Sequence, residues 1–308
     1  MLWTFTEDVE VFLATAGASL AARPVENTLV LTVTATLRRR GPHAFSDAAP
    51  LLGWWRGADG RIAGTLVQTP PYPLVLGAVA PEAVGPLAAA LPPTRVNADR
   101  ATAEALAARW PGHRVDQEQR LYRLGTLLPP SPAPPGRPRA ATVADRELLV
   151  RWHRAFADQV GQVGTHAERM VDERTASGGL TLWEVDGAPV SMAGALPRIA
   201  GTVRVTAVYT PAEHRGRGYA AAVVAESGRL ARKAGAREVL LFTDLANPTS
   251  NGVYQRIGYR PVSDRLLISA REHGAEQHDA GKPGPKEHNP KEHRWEEHSP
   301  EELSPEKR

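Results

Sequence analysis

The sequence predicts a mixed α/β protein in which one order of elements occurs twice. Segments of alternating or continuous apolar residues are interspersed with amphipathic segments of helical spacing. The order helices, β-hairpin, strand, helix, strand, short helix, strand runs through residues 1–128 and again through residues 139–270. A proline-rich stretch separates the two runs. We therefore expect two similar folds in tandem, each a mixed, mostly antiparallel sheet flanked by helices.

In the first half, two helices are expected before the strands. Thr6–Leu20 starts at a capping threonine, and Pro24–Arg40 starts at a proline and ends in three arginines. The Asp59-Gly60 turn predicts a tight hairpin between the first two strands that follow. The remaining predicted strands and helices are Leu51–Arg56, Arg61–Thr69, Leu74–Val79, Pro81–Leu91 (helix), Arg95–Asn97, Ala101–Trp110 (helix) and Val115–Leu127.

Residues 129–138 read PPSPAPPGRP, and six prolines in ten residues predict an extended, semi-rigid linker. The second half then repeats the order of the first, with a hairpin turn at Asp186-Gly187. Its predicted elements are Ala140–Val143, Ala144–Asp158 (helix), Thr165–Ser177 (helix), Leu180–Val185, Pro189–Leu196, Val203–Thr210, a helix ending near Gly235, Arg237–Thr243, Thr249–Arg256 (helix) and Tyr259–Ile268.

The stretch from Val203 to Gly235 carries the clearest chemical signal. Val203, Val205, Ala207 and Tyr209 alternate with mostly polar residues, so they predict one apolar face of a strand. Arg215-Gly216-Arg217-Gly218 then opens an amphipathic helix. The first amides of a helix lack intrahelical partners, and glycines let a ligand approach them closely. The pattern favours an anion site, with an ordinary tight surface turn as the alternative. In the first half the corresponding segment, Ala80 to Gly85, has no glycine turn and contains Glu82, which would repel a phosphate.

Composition excludes several other functions. The chain has no cysteine, so thiolate catalysis and cysteine metal sites are excluded, and a cytoplasmic location is expected. The acidic N-terminus does not resemble a secretory signal, and no apolar run is long enough to span a membrane. Residues 271–308 hold 7 basic and 10 acidic residues and predict a disordered tail, which leaves a net charge of +6 on the rest. That charge is dispersed, which argues against a nucleic-acid partner.

The second half resembles the GNAT superfamily of acetyl-CoA-dependent N-acyltransferases over about 130 residues. The family's cofactor loop, Arg/Gln-x-x-Gly-x-Gly/Ala, matches the six residues from Arg215 to Ala220, directly after a strand. A second match runs from Asn247 to Tyr259, reading NPTSNGVYQRIGY. The first half looks like a degenerate copy of the same fold, since the glycine loop is missing there.

The resemblance implies a site for acetyl-CoA, used as acyl donor without a metal, between the strands Val203–Thr210 and Arg237–Thr243. Backbone groups at Val208, Tyr209 and Thr210 would bind the pantetheine arm, and the Val208 amide would bind the oxyanion. Asn247 and Asn251 would contact the coenzyme, and Tyr254 would be the acid that protonates the leaving thiolate. The pyrophosphate would bind to the loop residues Arg215, Gly216, Arg217, Gly218, Tyr219 and Ala220.

The general base and the acceptor stay open. Glu184, Asp186, Glu213, His214 and ordered water are all candidates for the base. The expected reaction is direct attack of a primary amine, from a small molecule or a peptide, on the thioester in a ternary complex, by a monomer or homodimer. The alternative is a regulatory module that binds acyl-CoA without turnover, and Tyr254 could instead be a packing residue on an amphipathic helix.

Overall fold

A computed structural model of the chain describes residues 2–110, 112–161 and 166–270. The predicted tail, residues 271–308, and Thr165 at the predicted start of a helix lie outside the described residues. The strands are β1 Trp3–Thr6, β2 Leu51–Arg56, β3 Ile62–Gln68, β4 Leu74–Leu76, β5 Val96–Asp99, β6 His113–Leu124, β7 Arg137–Ala140, β8 Leu180–Val185, β9 Ala188–Ala195, β10 Thr202–Tyr209, β11 Glu238–Asp244 and β12 Tyr259–Ala270. The helices are α1 Val9–Ala22, α2 Thr28–Arg40, α3 Pro81–Ala90, α4 Arg100–Ala107, α5 Arg146–Gln159, α6 Ala167–Ala176, α7 Tyr219–Lys233 and α8 Pro248–Arg256.

The twelve strands form one mixed sheet, and the predicted fold class is confirmed. The order across the sheet is β1-β2-β3-β4-β5-β12-β6-β11-β10-β9-β8-β7. Only two of the pairings, β4 with β5 and β10 with β11, are parallel. In each half, the parallel pair consists of the two strands that a single helix connects, α3 in the first half and α7 in the second.

The last strands of the two halves are exchanged. The final strand of the second half, β12, pairs with β5 of the first half, and β6 of the first half pairs with β11 of the second. β6 and β12 also pair with each other along almost their whole length, from Tyr259 opposite Leu124 to Ala270 opposite His113. The centre of the sheet is therefore built jointly by the two halves, and the described residues form one compact unit.

Helices cover both faces of the sheet. On one face, α7 packs with Val203, Val205, Tyr122 and other core residues, and the α3 and α4 helices cover the apolar residues of β3 to β5 and β12. On the other face, α1 and α2 cover β2 and β3, and α5 and α6 cover β8 to β10. None of the helices within the described ranges combines the length and the apolarity that a bilayer-spanning helix needs.

Two predicted helix starts in the first half are wrong. Thr6 ends the short strand β1, which the sequence analysis missed, and the cap of α1 is Asp8, whose Oδ1 accepts from the Glu10 amide at 2.7 Å. The second helix begins at Thr28 rather than Pro24, because Asn27 uses its side chain to bond the Ala78 amide at 2.8 Å.

The boundary between the linker and the second half also differs from the prediction. Arg137 and Pro138, assigned to the linker, lie in β7 and pair with Glu184 and Trp183 of β8. The predicted strand Ala140–Val143 ends instead at Ala140, because Thr142 and Asp145 form a reciprocal capping box around a helical turn at Val143–Asp145.

Candidate active site

The parallel strands β10 and β11 separate part of the way along their length. They pair only from Thr202 opposite Glu238 to Val205 opposite Leu241. Beyond that point β11 continues to pair with β6 on its other side, and β10 continues along β9. The backbone edges that face each other after Val205 and Leu241 are thus available to a third, extended segment. We call this opening the β10–β11 gap.

A β-bulge at Ala207 sets the direction of β10 beside the gap. Ala207 has a φ of 49°, and the register with β9 shifts between Thr206 and Tyr209. The bulge makes the predicted single apolar face wrong. Val203, Val205 and Val208 pack on the α7 side, whereas Ala207 and Tyr209 pack against α5 and α6. An extra residue in a bulge reverses the alternation of the residues that follow it.

The carbonyl groups at the end of β10 already have side-chain partners. The Ser191 hydroxyl donates to the Tyr209 carbonyl at 3.2 Å and lies 2.9 Å from the Thr210 hydroxyl. The Arg215 Nε donates to the Thr210 carbonyl at 3.0 Å. A pantetheine arm in the gap would therefore share these carbonyls, and Arg215 would keep its two terminal nitrogens for an anion.

The loop before α7 has the geometry of an anion site. Gly216 and Gly218 have φ values of 75° and 84°, in the left-handed region that favours glycine, and Gly218 is the N-cap of the 15-residue helix α7. No backbone carbonyl within the described ranges accepts from the amides of Gly216, Arg217 or Gly218. The first turn has no acidic residue, and both loop arginines are exposed. Free amides, the helix dipole and two cations all favour a bound anion.

The other two predicted loop residues lie in the first turn of α7. Tyr219 is buried in the core beneath the helix, and Ala220 lies beside it in the first turn.

The proline-rich segment packs beside this loop. The sequence analysis assigned the segment to a linker and did not predict this contact. A Cβ on Gly218 would lie 3.7 Å from Pro134, and the Trp183 indole donates to the Pro135 carbonyl at 2.9 Å.

The two predicted asparagines connect β11 to α8. Asn247 caps α8, since its Oδ1 accepts from the Ser250 amide at 3.0 Å. Asn251 donates from Nδ2 to the carbonyls of Asp244 and Asn247, both at 2.8 Å, and its Oδ1 accepts from the Tyr122 hydroxyl at 3.0 Å. Both side chains thus fix the start of α8 relative to the end of β11.

Tyr254 lies on α8 and is 8% exposed. Its ring packs edge-on against Tyr122 and Tyr259, with centroids 6.4 and 6.2 Å away. Burial raises the pKa of Tyr254 to about 12, so its hydroxyl stays protonated at neutral pH. Tyr122 comes from β6 in the first half, and its hydroxyl accepts from Gln255 Nε2 at 3.0 Å. No local sequence signal connects Tyr122 to this site, because the strand exchange brings it there.

Of the candidate bases, Glu184 is engaged by two arginines. Its carboxylate accepts from Arg139 at 2.6 Å and from Arg137 at 3.4 Å, and Arg139 holds the pKa of Glu184 below its ordinary value. Asp186 is a turn residue with a φ of 50°, and Glu213 and His214 lie in the helical turn before the anion loop. The identity of the base stays a prediction for these three residues.

The corresponding opening in the first half is filled by protein atoms. β4 and β5 pair only at Leu74–Val96 and Val75–Asn97, as a parallel pair that separates early. Arg265 of β12, 4% exposed, enters there and donates to the Leu76 carbonyl at 2.8 Å, the Asn97 carbonyl at 3.0 Å and the Asn97 Oδ1 at 2.7 Å. Glu82 lies in the first turn of α3. The first half therefore lacks both the gap and the anion loop.

No group of three or more histidine, cysteine or acidic side chains within the described ranges could hold a metal ion. The residues that come together are instead the β10–β11 gap, the anion loop at one end of it and Tyr254 on the helix that follows β11. This arrangement suits a long ligand that has an extended chain and a phosphorylated end.

Comparisons with known proteins agree with this geometry. Residues 146–259, which contain every predicted site residue, match the family model described as "Acetyltransferase (GNAT) family". An acetyltransferase of the GNAT family from Colwellia psychrerythraea superposes with a TM-score of 0.60 and 10% identity, over 88% of this chain and 100% of that one. A GCN5-related N-acetyltransferase from Sphaerobacter thermophilus gives 0.57 and 17%, over 87% and 96%. At such identities these two structures support the fold alone.

No curated protein matched the sequence. The family assignment therefore depends on the domain match, on the shared fold and on the residues that form the gap and the loop. Since the two structures superpose on almost the whole described chain, the first half shares this fold as well. Within the chain, residues 146–259 are thus similar to the acetyltransferase (GNAT) family in sequence, and the described residues are similar to it in fold.

Proposed function

We propose that the protein is an N-acetyltransferase that transfers an acetyl group from acetyl-CoA to a primary amine in a ternary complex. The observation that carries the proposal is the β10–β11 gap, which opens directly beside a glycine loop with free amides. The pyrophosphate would bind to the amides from Gly216 to Ala220, helped by Arg215 and Arg217. The pantetheine arm would lie in the gap beside Val208 to Thr210, with Asn247 and Asn251 lining its far side.

In the proposed reaction, the amine nitrogen attacks the thioester carbonyl carbon and the carbon–sulfur bond breaks. The Val208 amide would stabilise the oxyanion, and the protonated Tyr254 hydroxyl would donate to the departing thiolate. The ammonium proton of the intermediate would pass to water, and a proton from water would restore the Tyr254 hydroxyl. No covalent enzyme intermediate is required, which agrees with a chain that contains no cysteine.

We further propose that the chain is a tandem of two acetyltransferase-like halves, residues 1–128 and 139–270, of which only the second binds acetyl-CoA. The repeated order of elements and the Arg265 side chain in the first opening support this division. One chain supplies the gap, the loop and Tyr254, so the reaction needs no second subunit. A chain without cysteine suits the cytoplasm, where we place it.

Calorimetric titration of acetyl-CoA tests the binding site. The double variant Arg215→Ala, Gly218→Glu should bind at least about tenfold more weakly, since a charge-assisted hydrogen bond contributes about 1.5–3 kcal/mol. The double variant Gly60→Glu, Arg61→Ala is a matched control. It changes another left-handed glycine that faces open space and an exposed arginine, in the β2–β3 hairpin. Equal affinity of wild type and loop variant would refute the assignment of the loop.

A thiol-release assay with a panel of amines tests catalysis in the same preparation. The Tyr254→Phe variant should keep its affinity for acetyl-CoA and lose turnover by about 10² or more, as expected when a general acid is removed. Unchanged turnover would show that Tyr254 is not the acid. Binding of acetyl-CoA without turnover of any amine would instead favour a regulatory acyl-CoA-binding module.

A further inference from the structure

Two arginines on the α5/α6 side of the sheet, one buried and one partly buried, form no ion pair with any described residue. Arg174 on α6 is 7% exposed, and its Nη1 has no hydrogen-bond partner within the described ranges. Arg204 on β10 is partly buried, and its Nη1 is also enclosed and without a partner there. Arg265 of β12 is also buried, but it differs because its guanidinium makes three hydrogen bonds.

Both unpaired guanidinium groups lie at the level of the β10–β11 gap. Arg204 lies over the ring of Phe242, 5.8 Å from the ring centroid, and Phe242 is the first residue of β11 beyond the last pair with β10. Arg174 Nη1 lies close to Gly194. A Cβ on residue 194 would be 2.9 Å from Arg174 Nη1 and 3.2 Å from the Thr206 carbonyl oxygen. Thr206 follows the last paired residue of β10, and its hydroxyl also has no described partner.

Among the described residues, no acidic side chain forms an ion pair with Arg174 or Arg204. The Glu173 carboxylate next to Arg174 is held by Arg39 and Arg40 of α2. His153 on α5 is 8% exposed, and burial together with Arg174 lowers the pKa of His153 to about 4, so the imidazole is neutral at pH 7. Burial also lowers the pKa of Arg174 and of Arg204 to about 10, and both groups stay charged at pH 7.

An unpaired cation is costly to bury, and buried cations are normally matched by an anion. The phosphates of the coenzyme cannot be that anion if they bind at α7, because α7 covers the opposite face of the sheet. A ligand that enters the gap from the α5/α6 side, opposite α7, would meet these two guanidinium groups. A carboxylate suits two guanidinium donors and a hydroxyl well, since it accepts up to four hydrogen bonds.

We propose that the acceptor is a primary amine that bears a carboxylate, and that Arg174, Arg204 and Thr206 bind this carboxylate. The proposal rests on the acetyltransferase function proposed above. It adds the chemical class of the acceptor and the residues that select it. The three side chains act as specificity determinants, and they take no part in the bond-making step.

Matched pairs of amines test the proposal with the intact chain and acetyl-CoA. Serine is compared with ethanolamine, phenylalanine with phenethylamine, and lysine with cadaverine, by kcat/KM for thiol release. For at least one pair, the carboxylated member should react at least about tenfold faster, because its absence leaves buried polar groups unpaired. Equal kcat/KM within every pair would overturn the proposal.

Variants of Arg174 and Arg204 then test whether these residues cause the preference for carboxylated amines. Arg174→Gln should lower kcat/KM for the carboxylated member about tenfold or more, mainly through KM, and leave its decarboxylated partner unchanged. Arg174→Lys should recover part of the preference, and Arg204→Met should act like Arg174→Gln. The control Arg146→Gln changes an exposed arginine of α5 that pairs with Asp172, and it should preserve the preference. An equal loss for both members of a pair would contradict the proposal.

A binding measurement separates this proposal from the proposed function. If no amine releases thiol, the acetyltransferase function fails. Calorimetry then tests the carboxylate site by comparing the binding of N-acetylphenylalanine with that of N-acetylphenethylamine, which lacks the carboxylate. Binding of the acid alone, lost in Arg174→Gln, would support the site, and binding of neither compound would overturn it.

Discussion

Replacing Arg265 with methionine should destabilise the protein by about 3–5 kcal/mol, because three acceptors lose a charged donor and the avoided cost of burying that cation offsets only part of the loss. The magnitude follows from three hydrogen bonds of 2.7 to 3.0 Å, made to two main-chain carbonyls and one amide oxygen. Each acceptor loses a charged donor in a buried or partly buried position, and an unsatisfied buried group costs about 1–3 kcal/mol. Methionine keeps most of the aliphatic volume, so lost packing adds little.

Urea unfolding followed by tryptophan fluorescence measures this effect. The matched control is Arg260→Met, which replaces an exposed arginine on the same strand, β12, and should change the free energy of unfolding by less than about 0.5 kcal/mol. A cost below about 1 kcal/mol for Arg265→Met would refute the reasoning, because it would mean that the three acceptors are satisfied without the guanidinium.

The same variant also tests why the first half has no coenzyme site. Removing the Arg265 side chain opens the space between β4 and β5, but it creates neither a glycine loop nor a cation at the start of α3. Calorimetry should therefore still show one acetyl-CoA per chain. A second equivalent of acetyl-CoA bound by Arg265→Met would show that the guanidinium alone blocks a functional site.

Two further predictions concern buried polar groups in the second half. The hydroxyl of Tyr259, a residue that is 1% exposed, has no hydrogen-bond partner among the described residues, so Tyr259→Phe should stabilise the protein by about 1 kcal/mol in thermal unfolding; a loss of stability would reveal a partner. Arg139 holds the pKa of Asp145 at about 2, below its ordinary 3.8. Because the folded-state pKa is depressed, this stabilisation is complete above pH 3.8 and is lost as the pH falls towards 2. Asp145→Asn should cost about 2 kcal/mol at pH 7, and the difference from wild type in urea unfolding should shrink between pH 4 and 2; a difference that stays constant would contradict the assignment.

The features set by local chemistry could be predicted from the sequence. Gly216 and Gly218, predicted to form a glycine turn before a helix, lie in such a turn and have positive φ values. The hairpin turn at Asp186-Gly187 and the strand Leu180–Val185 also agree with the prediction. In these places a short run of residue types decides the backbone conformation.

Features set by distant contacts could not be predicted. The bulge at Ala207 has no residue signature, since alanine has no preference for a positive φ, and Val208 on the otherwise polar side of the strand was its only trace. Arg265 reads as a solvent-facing residue in an alternating strand, yet it is buried because β12 crosses to the first half. Tyr122 reaches Tyr254 by the same exchange. A strand pattern shows which residues share a face, and it does not show which strand lies beside it.

Because β6 and β12 are exchanged, we expect that neither half can fold stably without the other. If residues 137–270 were expressed without the first half, β11 and β12 would each lose the neighbour that now lies between them, and the Tyr254 ring would lose Tyr122. A half that binds no coenzyme is thus required as scaffold, because its last strand is the central wall of the other half's site. We therefore expect the described chain to unfold in one transition, and domain-shuffling designs that cut between residues 128 and 139 to yield two unstable fragments.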